Sequence, residues 1–420
     1  MNVKGKRTLS LVMALCFVMI FCFSTAVSSF AAGNQFASGK GTKTNPWHIK
    51  TAAQFNNVRK HLNGNFVLDN DIDLKGYKNF QPIGSFSPLS EKESEQASPK
   101  TAFSGTFDGN GKTIKNLTMS GSVKQLGYGL FGTVIGTIRD LNVQNANVKA
   151  SGGTNPMGGN GGVGAVVGLA SGNAKIDGVK LIGKNKVTGN NMVGGLVGAS
   201  NNKLIRNCTA VADVVLAGNS STKEFTQCAG VLVGGDEGTA LENCHALGGT
   251  VTANGKIEKK TGINGLGGLA GCAIGASSVL RCTAKNIVIN ASGYAMLLGG
   301  LIGFAGIGGG QYTLIKDCIV DNVTINAPAN AERIGGIVGG GFYVTPYKQY
   351  YAVPTALKVD NCYATAKISN GRIVGSIAGY VSEDSTVTRS AANVTYKGVP
   401  LAVQVGGNTK TIPISQVGEE

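Results

Sequence analysis

Residues able to perform acid–base or metal chemistry are few and scattered in this 420-residue chain. Its three histidines have unrelated contexts, and none forms the pair of histidines around a glutamate with which metallopeptidases hold zinc. Two adjacent acidic pairs, Asp236-Glu237 and Glu383-Asp384, offer the carboxylates that glycoside hydrolysis needs. Each pair lies just past a glycine-flanked box, where we expect a solvated turn. We therefore predict no catalytic residue, no metal and no cofactor, with a polysaccharide lyase or hydrolase as the enzymatic alternative.

Three aspartates at alternate positions, Asp69, Asp71 and Asp73, imitate the opening of a calcium-binding loop. The twelfth position of such a loop requires an acidic ligand, but Phe80 occupies it here. The alternation instead predicts a strand with polar side chains on one face and apolar side chains on the other. The apolar positions are Leu68, Ile72 and Leu74.

A tyrosine-rich segment between Gly339 and Val359 is the strongest candidate for a binding surface. It holds four of the eleven tyrosines, and a long connection in a repetitive fold is typical of a functional edge. Tyrosine rings stack on sugars and on protein partners at low entropic cost. The predicted contact residues are Phe342, Tyr343, Tyr347, Lys348, Tyr350 and Tyr351. The alternative is a loop that packs on itself and covers a bare edge.

Cysteines recur at one position of a repeat rather than in pairs. Nine are present, and two of them, Cys16 and Cys22, lie in the apolar N-terminal segment. Five of the other seven stand at equivalent places: Cys208, Cys244, Cys282, Cys318 and Cys362. Stacked in register about 4.8 Å apart, their Cβ atoms are too distant for the usual disulfide geometry. We therefore expect a column of buried, unpaired thiols.

The element that positions these residues is a glycine-flanked apolar box that occurs eight times, as in Gly194-Gly195-Leu196-Val197-Gly198. The last glycines of the boxes are Gly132, Gly168, Gly198, Gly234, Gly271, Gly303, Gly339 and Gly379. An apolar strand follows each box, starting at Ile138, Ile176, Ile205, Leu241, Val279, Ile315, Val359 and Val387, with an earlier copy at Ile114. Such a period indicates stacked units that cannot bury their apolar faces alone.

The strand motif contains a bend followed by an inward residue. Its third place is Asn, Asp or Gly in seven of nine copies, and these residues tolerate left-handed backbone angles. The fourth place is apolar or cysteine in all copies but the last, which has Ser390. This pattern predicts an all-β fold, a right-handed parallel β-helix of about nine coils with an N-terminal cap of helix and strand.

Three regions are predicted along the chain. Residues 1–31 form a secretory signal peptide, with Lys4, Lys6 and Arg7 before an apolar run that is too short for a confident membrane span. Residues 32–113 form the cap and the first strands, including a helix around Thr51–Leu62 capped by Thr51 and Gln54, with Trp47 packed beside it. Residues 114–420 form the β-helix repeats and a C-terminal tail, with a last strand at Thr411–Ser415.

Several segments resemble bacterial secreted proteins with GLUG motifs. They are Asn45-Pro46-Trp47-His48-Ile49, Asp71-Ile72-Asp73-Leu74, Pro82-Ile83-Gly84 and the run from Phe103 to Ile114, followed by the glycine boxes. The resemblance covers roughly residues 39–392. It implies a right-handed β-helix scaffold in an adhesin-like, exported protein, and similar segments accompany some immunoglobulin-A1-cleaving metallopeptidases. It implies no ligand and no catalytic residue.

The function predicted from the sequence is a non-enzymatic, secreted or extracellular module that binds a glycan, a cell-wall polymer or a host surface protein. A formal net charge of +15 favours anionic partners. No nucleic-acid-binding motif is recognisable, and no membrane insertion is expected once the signal peptide is cleaved. A purely structural surface spacer is the remaining alternative.

Overall fold

The computed structural model describes residues 35–85, 101–123, 127–152, 161–217, 227–254, 264–275, 277–292, 297–306, 312–331, 333–340, 342–343, 353–354, 356–382 and 384–409. The predicted signal peptide and the strand predicted at Thr411–Ser415 lie outside these residues. Within them, strands dominate and helix is confined to Ala52–Asn57 and a 3-10 turn at Val58–Lys60. No helix in the described part is long and apolar enough to cross a membrane.

The described strands form four sheets: three build the coils, of which sheet A is the largest, and the fourth is a two-stranded hairpin. Its strands are Trp47–Ile49, Asn65–Leu68, Thr106–Asp108, Phe131–Val134, Thr137–Arg139, Val167–Asp177, Val197–Arg206, Val233–Glu237, Ala240–Glu242, Ala270–Ile274, Ser278–Leu280, Ile302–Ala305, Tyr312–Lys316, Val338–Gly340, Ala356–Asp360, Ala378–Ser382, Thr386–Thr388 and Val405–Thr409.

Sheet B follows sheet A in each coil. Its strands are Ile72–Asp73, Thr113–Lys115, Thr118–Val123, Asn142–Gln144, Asn147–Gly152, Lys180–Ile182, Lys186–Gly189, Thr209–Leu216, His245–Ala253, Thr283–Lys285, Ile287–Ala291, Ile319–Asn326, Tyr363–Ile368, Ala391–Tyr396 and Val399–Pro400. Sheet C consists of Gly127–Tyr128, Gly162–Gly164, Met192–Gly194, Gln227–Gly230, Asn264–Gly267, Leu297–Gly299, Arg333–Gly335 and Ile373–Gly375.

Nearly all strand pairs in these sheets are parallel and join residues about one coil apart, which defines a parallel β-helix. Ile176, for example, pairs with Ile138 of the preceding coil and with Ile205 of the next. These side chains are fully buried, as are their equivalents Leu241, Val279, Ile315 and Val359. The predicted fold is confirmed, and the right-handed sense is the one expected for parallel strands joined by crossovers.

The bends predicted at the third place of the motif are present in every copy. Each residue there has a positive φ: Asn116, Asp140, Gly178, Asn207, Asn243, Arg281, Asp317, Asn361 and Arg389. The two arginines also adopt the left-handed conformation, which the sequence did not indicate. Such a backbone costs a non-glycine residue about 1–2 kcal/mol, which the surrounding parallel pairing must offset.

The prediction that Ile114 begins a strand equivalent to those of the later copies is wrong. Ile114 pairs with Ile72 and Val143 in sheet B, whereas Phe107 of sheet A is the residue in register with Ile138. Asn116 therefore bends the chain within sheet B, as Asn145, Asn286 and Asn322 also do with positive φ. A second row of left-handed residues therefore runs through several coils of sheet B, and its similar local sequence caused the misalignment.

The N-terminal segment covers one end of sheet A. Strand Trp47–Ile49 pairs with Asn65–Leu68 on one side, and Ser38 bridges His48 in antiparallel fashion on the other. Trp47 stacks on Phe36 with ring centroids 4.9 Å apart, which confirms its predicted packing role. Strands before residue 114 thus already belong to the sheets of the β-helix.

The helix of this segment is shorter than the predicted Thr51–Leu62. Ala52–Asn57 is α-helical and is followed by the 3-10 turn Val58–Lys60. Thr51 caps it by accepting a hydrogen bond from the Gln54 N–H at 3.2 Å. The Gln54 side chain accepts from the Lys50 N–H rather than from that of Thr51, so the capping box is offset by one residue.

Candidate binding surface

The tyrosine-rich segment leaves sheet A as an antiparallel hairpin. The chain departs after Val338–Gly340 and returns at Ala356–Asp360, with Phe342 paired to Pro354 and Tyr343 paired to Val353. Strand Phe342–Tyr343 lies beside Ala378–Ser382 of sheet A. Tyr347, Lys348, Tyr350 and Tyr351 lie outside the described residues, so their role in binding stays a prediction.

The base of this hairpin adds two residues that the sequence interpretation missed, Tyr312 and Lys358. Tyr312 is in register with Ala356, the first residue of the strand that follows the hairpin. Its side chain is 43% exposed, which is unusual for a large hydrophobic residue in the described part of this rod. Lys358 Nζ lies 3.6 Å from the Tyr312 ring centroid, a cation–π contact that orients the ring at the surface.

The position of Tyr312 follows from strand alternation. Thr313 and Ile315 point inward and are fully buried, which leaves Tyr312, Leu314 and Lys316 on the outer face. The sequence signal was therefore present, but its partner Lys358 comes only one coil later. Pairing across coils cannot be read from local spacing.

The carboxylate beside this surface, Asp360, is held in an ion pair. Arg389 contacts Asp360 through two nitrogens, and this hydrogen bonding lowers the pKa of Asp360. Asp360 lies opposite Lys316 and two residues after Lys358. With the Asp360 carboxylate held by Arg389, the Lys358 ammonium remains the cation beside the exposed ring.

The acidic pair Asp236-Glu237 does not form a solvated turn, and this prediction is wrong for Asp236. The strand Val233–Glu237 continues past the glycine box and carries the Asp236 side chain inward, where it is only 1% exposed. Ser200 Oγ donates to its Oδ1 at 2.8 Å, and Ser277 Oγ donates to its Oδ2 at 2.9 Å. Burial raises the pKa of Asp236 to about 7.

Glu237 is exposed on the opposite face of the same strand. Adjacent strand residues point to opposite sides, so Asp236 and Glu237 cannot approach one glycosidic bond together. In the second pair, Asp384 is exposed and Glu383 lies outside the described residues.

The alternating aspartates support the N-terminal coils through hydrogen bonds. Asp71 accepts from the Thr113 N–H and Asp73 accepts from the Asn116 side chain, each at 2.9 Å, while Asp69 contacts His48 at 2.8 Å. Leu68, Ile72 and Leu74 are buried as predicted. In the described residues, no group of three or more His, Cys, Asp or Glu side chains is placed to hold a metal ion.

The cysteine column is confirmed. All seven cysteines of the described chain are buried and unpaired, and five of them follow one another through successive coils. The Cys282 N–H lies 3.4 Å from Cys318 Sγ, and each of the five column thiols donates weakly to a backbone carbonyl of its own or the preceding coil. Cys228 and Cys272 lie together in a smaller apolar cluster with Met192, Leu297 and Phe304.

Residues 189–215 match the GLUG motif. They include the box Gly194–Gly198, the left-handed bend at Asn207 and the first cysteine of the column, Cys208. The match therefore covers one glycine-flanked box together with the strand behind it.

Two relatives share about a third of their aligned residues with this chain. Halomucin of Haloquadratum walsbyi is 31% identical over 170 residues, which is 39% of this chain and 2% of that protein. A Gly-rich protein of Evansella cellulosilytica, assigned by name to the membrane, is 32% identical over 127 residues, 29% of this chain and 14% of that protein. The chain spans a small fraction of either relative.

Two solved structures are similar at low identity. One is a Bacteroides ovatus protein assigned by name to the immunoglobulin A1 proteases, with 17% identity, a TM-score of 0.44 and coverage of 90% of this chain and 88% of that one. The other is named IgA1 Protease, with 14% identity, a TM-score of 0.41 and coverage of 82% and 21%.

Proposed function

We propose that this protein is an exported, surface-associated β-helix that binds a glycan or surface polymer without catalysing a reaction. The observation that carries the proposal is the exposed Tyr312 ring beside Lys358, at the base of the tyrosine-rich hairpin. The GLUG motif at residues 189–215 and a relative assigned by name to the membrane support a surface location.

Sugar rings present apolar C–H faces ringed by hydroxyl groups. A tyrosine ring fixed at a protein surface stacks on such a face while polar neighbours take the hydroxyls. Strand pairing fixes the backbone of Tyr312, and the contact with Lys358 restricts its ring. Little side-chain entropy therefore remains to be lost on binding. The backbone hairpin that pairs Phe342 with Pro354 departs from the same edge of sheet A.

The described carboxylates give less support to a lyase or hydrolase. Asp236 is enclosed by hydroxyl groups inside the coil, and its neighbour Glu237 faces the other way. A purely structural spacer would explain the rod, but it gives no reason for an exposed aromatic ring at the foot of the longest insertion.

The test is a glycan array that includes host glycans and bacterial cell-wall polymers. Wild type is compared with Tyr312→Ala and with a Tyr347/Tyr350/Tyr351→Ala variant. The matched control is Tyr363→Ala, because Tyr363 is 45% exposed but lies on sheet B. Each stacked ring contributes on the order of 1–2 kcal/mol, so we expect Tyr312→Ala to lose about five- to thirtyfold in affinity and the triple variant at least as much.

Unchanged binding by both folded site variants would remove the hairpin as the binding site. Absence of binding by the wild type to all glycans would favour the spacer. Formation of unsaturated sugar ends on pectin, alginate or glycosaminoglycan, read by ultraviolet absorbance, would establish a lyase instead.

A further inference from the structure

A second surface, on sheet B of the N-terminal coils, is basic. We name it the lysine face and define it by the strands Thr113–Lys115, Thr118–Val123, Asn142–Gln144, Asn147–Gly152, Lys180–Ile182 and Lys186–Gly189 with the turn at 183–185. Its basic residues are Lys115, Lys149, Lys180, Lys184 and Lys186, and no acidic residue occurs in these segments. All but the half-buried Lys115 are exposed.

Three of the lysines lie on a single coil. Lys180, Lys184 and Lys186 follow one another across it, and Asn147 of the preceding coil pairs with Lys186. Lys149 is two residues beyond Asn147, so its Cα lies about 8 Å from that of Lys186. The four lysines therefore lie on two neighbouring coils of sheet B, on either side of the turn at Gly183.

In sheet A of the same coils, charged residues form ion pairs with one another. Arg139 contacts Asp108 at 2.6 Å and Arg206 contacts Asp177 at 2.8 Å, each pair joining neighbouring coils. These ion pairs neutralise both charges and link neighbouring coils.

In contrast, no ion pair between described residues involves Lys149, Lys180, Lys184 or Lys186. Acidic residues border the lysine face on both sides: Asp71 and Asp73 accept from Thr113 and Asn116 at one border. At the other border, Asp213 is in register with Lys186 and accepts from Thr250. Four exposed lysines therefore face one neighbouring carboxylate, Asp213, and the area keeps a net positive charge for a ligand.

We propose that the lysine face binds a linear polyanion, a chain with carboxylate, sulfate or phosphate groups on a sugar or polyol backbone. Regularly spaced anions would meet the lysines, while the half-buried Asn142 and Gln144 and the exposed Asn147 offer hydrogen bonds to hydroxyl groups. None of the large hydrophobic residues exposed in the described chain lies on this face, so insertion into a lipid surface is disfavoured.

The lysine face is separate from the tyrosine hairpin. Five coil steps divide the coil of Lys186 from the strand that follows the hairpin, a separation of about 24 Å along the rod. The inference therefore goes beyond the proposed function and does not depend on it.

The test measures binding of the protein to poly(glycerol phosphate), polygalacturonate, heparin, uncharged dextran and anionic lipid vesicles at several salt concentrations. The variant carries Lys149→Gln, Lys180→Gln, Lys184→Gln and Lys186→Gln. The matched control removes four exposed charges elsewhere through Lys43→Gln, Lys60→Gln, Lys367→Gln and Lys397→Gln. Replacement of the four face lysines by arginine keeps the charge and serves as a rescue.

We expect wild type to bind at least one polyanion and not dextran, with affinity that falls as salt rises. The face variant should lose at least about tenfold in affinity at low salt and show a shallower salt dependence, while the control and the arginine variant remain close to wild type. The three polymers distinguish phosphate, carboxylate and sulfate sources. A Tyr312→Ala variant should bind polyanions normally, which separates this inference from the hairpin.

If the face variant and the control lose the same affinity for polyanions, net charge alone explains the loss and the proposal is overturned. No polyanion binding by wild type, or binding to anionic lipid vesicles but to none of the polymers, would also overturn it. Equal melting temperatures of wild type and variants confirm that all are folded.

Discussion

Ser277 Oγ donates a hydrogen bond to Asp236 Oδ2 across one coil step, at 2.9 Å inside the β-helix. Ser200, from the coil before, donates to the other carboxylate oxygen, and Thr239 Oγ1 donates in turn to Ser200 Oγ at 3.2 Å. Hydroxyl groups from three coils thus surround one buried carboxyl group. They reduce the cost of its burial without cancelling it, because burial still raises its pKa to about 7.

Stability should therefore depend on pH through Asp236. Below about pH 4 the carboxyl group is protonated in both folded and unfolded chains. Between about pH 4 and 7 only the unfolded chain loses the proton, so the free energy of unfolding falls as pH rises. A shift of this size corresponds to at most about 4 kcal/mol, fully lost above pH 7.

The check is urea denaturation of wild type and Asp236→Asn at pH 4.5 and pH 8. The amide that replaces the carboxyl group cannot ionise, so the variant should gain stability relative to wild type as pH increases. Glu237→Gln is the matched control, since it removes an exposed carboxylate from the same strand. A constant difference between wild type and the Asp236→Asn variant across this range would contradict the assignment.

The glycine boxes should be intolerant of even one added methyl group. A Cβ built at Gly198 would lie 2.2 Å from the Val163 backbone nitrogen of the preceding coil, so Gly198→Ala forces the two coils apart. We expect a loss of about 3 kcal/mol or more, or failure to fold. Gly76 has nothing within 4 Å of such a Cβ, and Gly76→Ala should change stability by less than about 0.5 kcal/mol in the same thermal melts.

Arg281 occupies a left-handed bend with a φ of 55°, where most copies have Asn, Asp or Gly. Arg281→Asn should raise the free energy of unfolding by up to about 1 kcal/mol, because asparagine tolerates this conformation better. The lost contact to Glu242 is long, at 3.9 Å, and solvent-exposed, so it offsets little. Chemical denaturation beside Arg372→Asn, a site without positive φ, tests this, and a destabilised Arg281→Asn would refute it.

Periodicity in the sequence was sufficient to predict the β-helix, since Asn207 and Asp317 mark bends and Ile205 and Ile315 mark inward positions. It failed at Ile114, because a second row of bends in sheet B has the same local chemistry. Periodicity also gave a wrong prediction for Asp236, because the nearby glycines suggested a solvated turn there. The strand continues there, and its inward neighbours Ser200 and Ala273 are small enough to leave room for a carboxyl group.

The candidate site was only half predictable for a related reason. The hairpin at Phe342–Tyr343 could be recognised as an insertion, because insertion length is a local property of the sequence. Tyr312 and Lys358 belong to successive coils and meet only through the register of Tyr312 with Ala356. Cross-coil neighbours become visible once pairing is known.

The cysteines of the column should not react with thiol reagents in the folded protein. Burial raises the pKa of the Cys282 and Cys318 thiols, which keeps them protonated, and reagents cannot reach them. Iodoacetamide at pH 8 should therefore leave all seven described cysteines unmodified in the native protein. After denaturation without reductant, intact mass should show all seven alkylated, because none is in a disulfide. Prior reduction should add nothing to this number, and fewer than seven labels without reductant would show that neighbouring thiols such as Cys228 and Cys272 are joined.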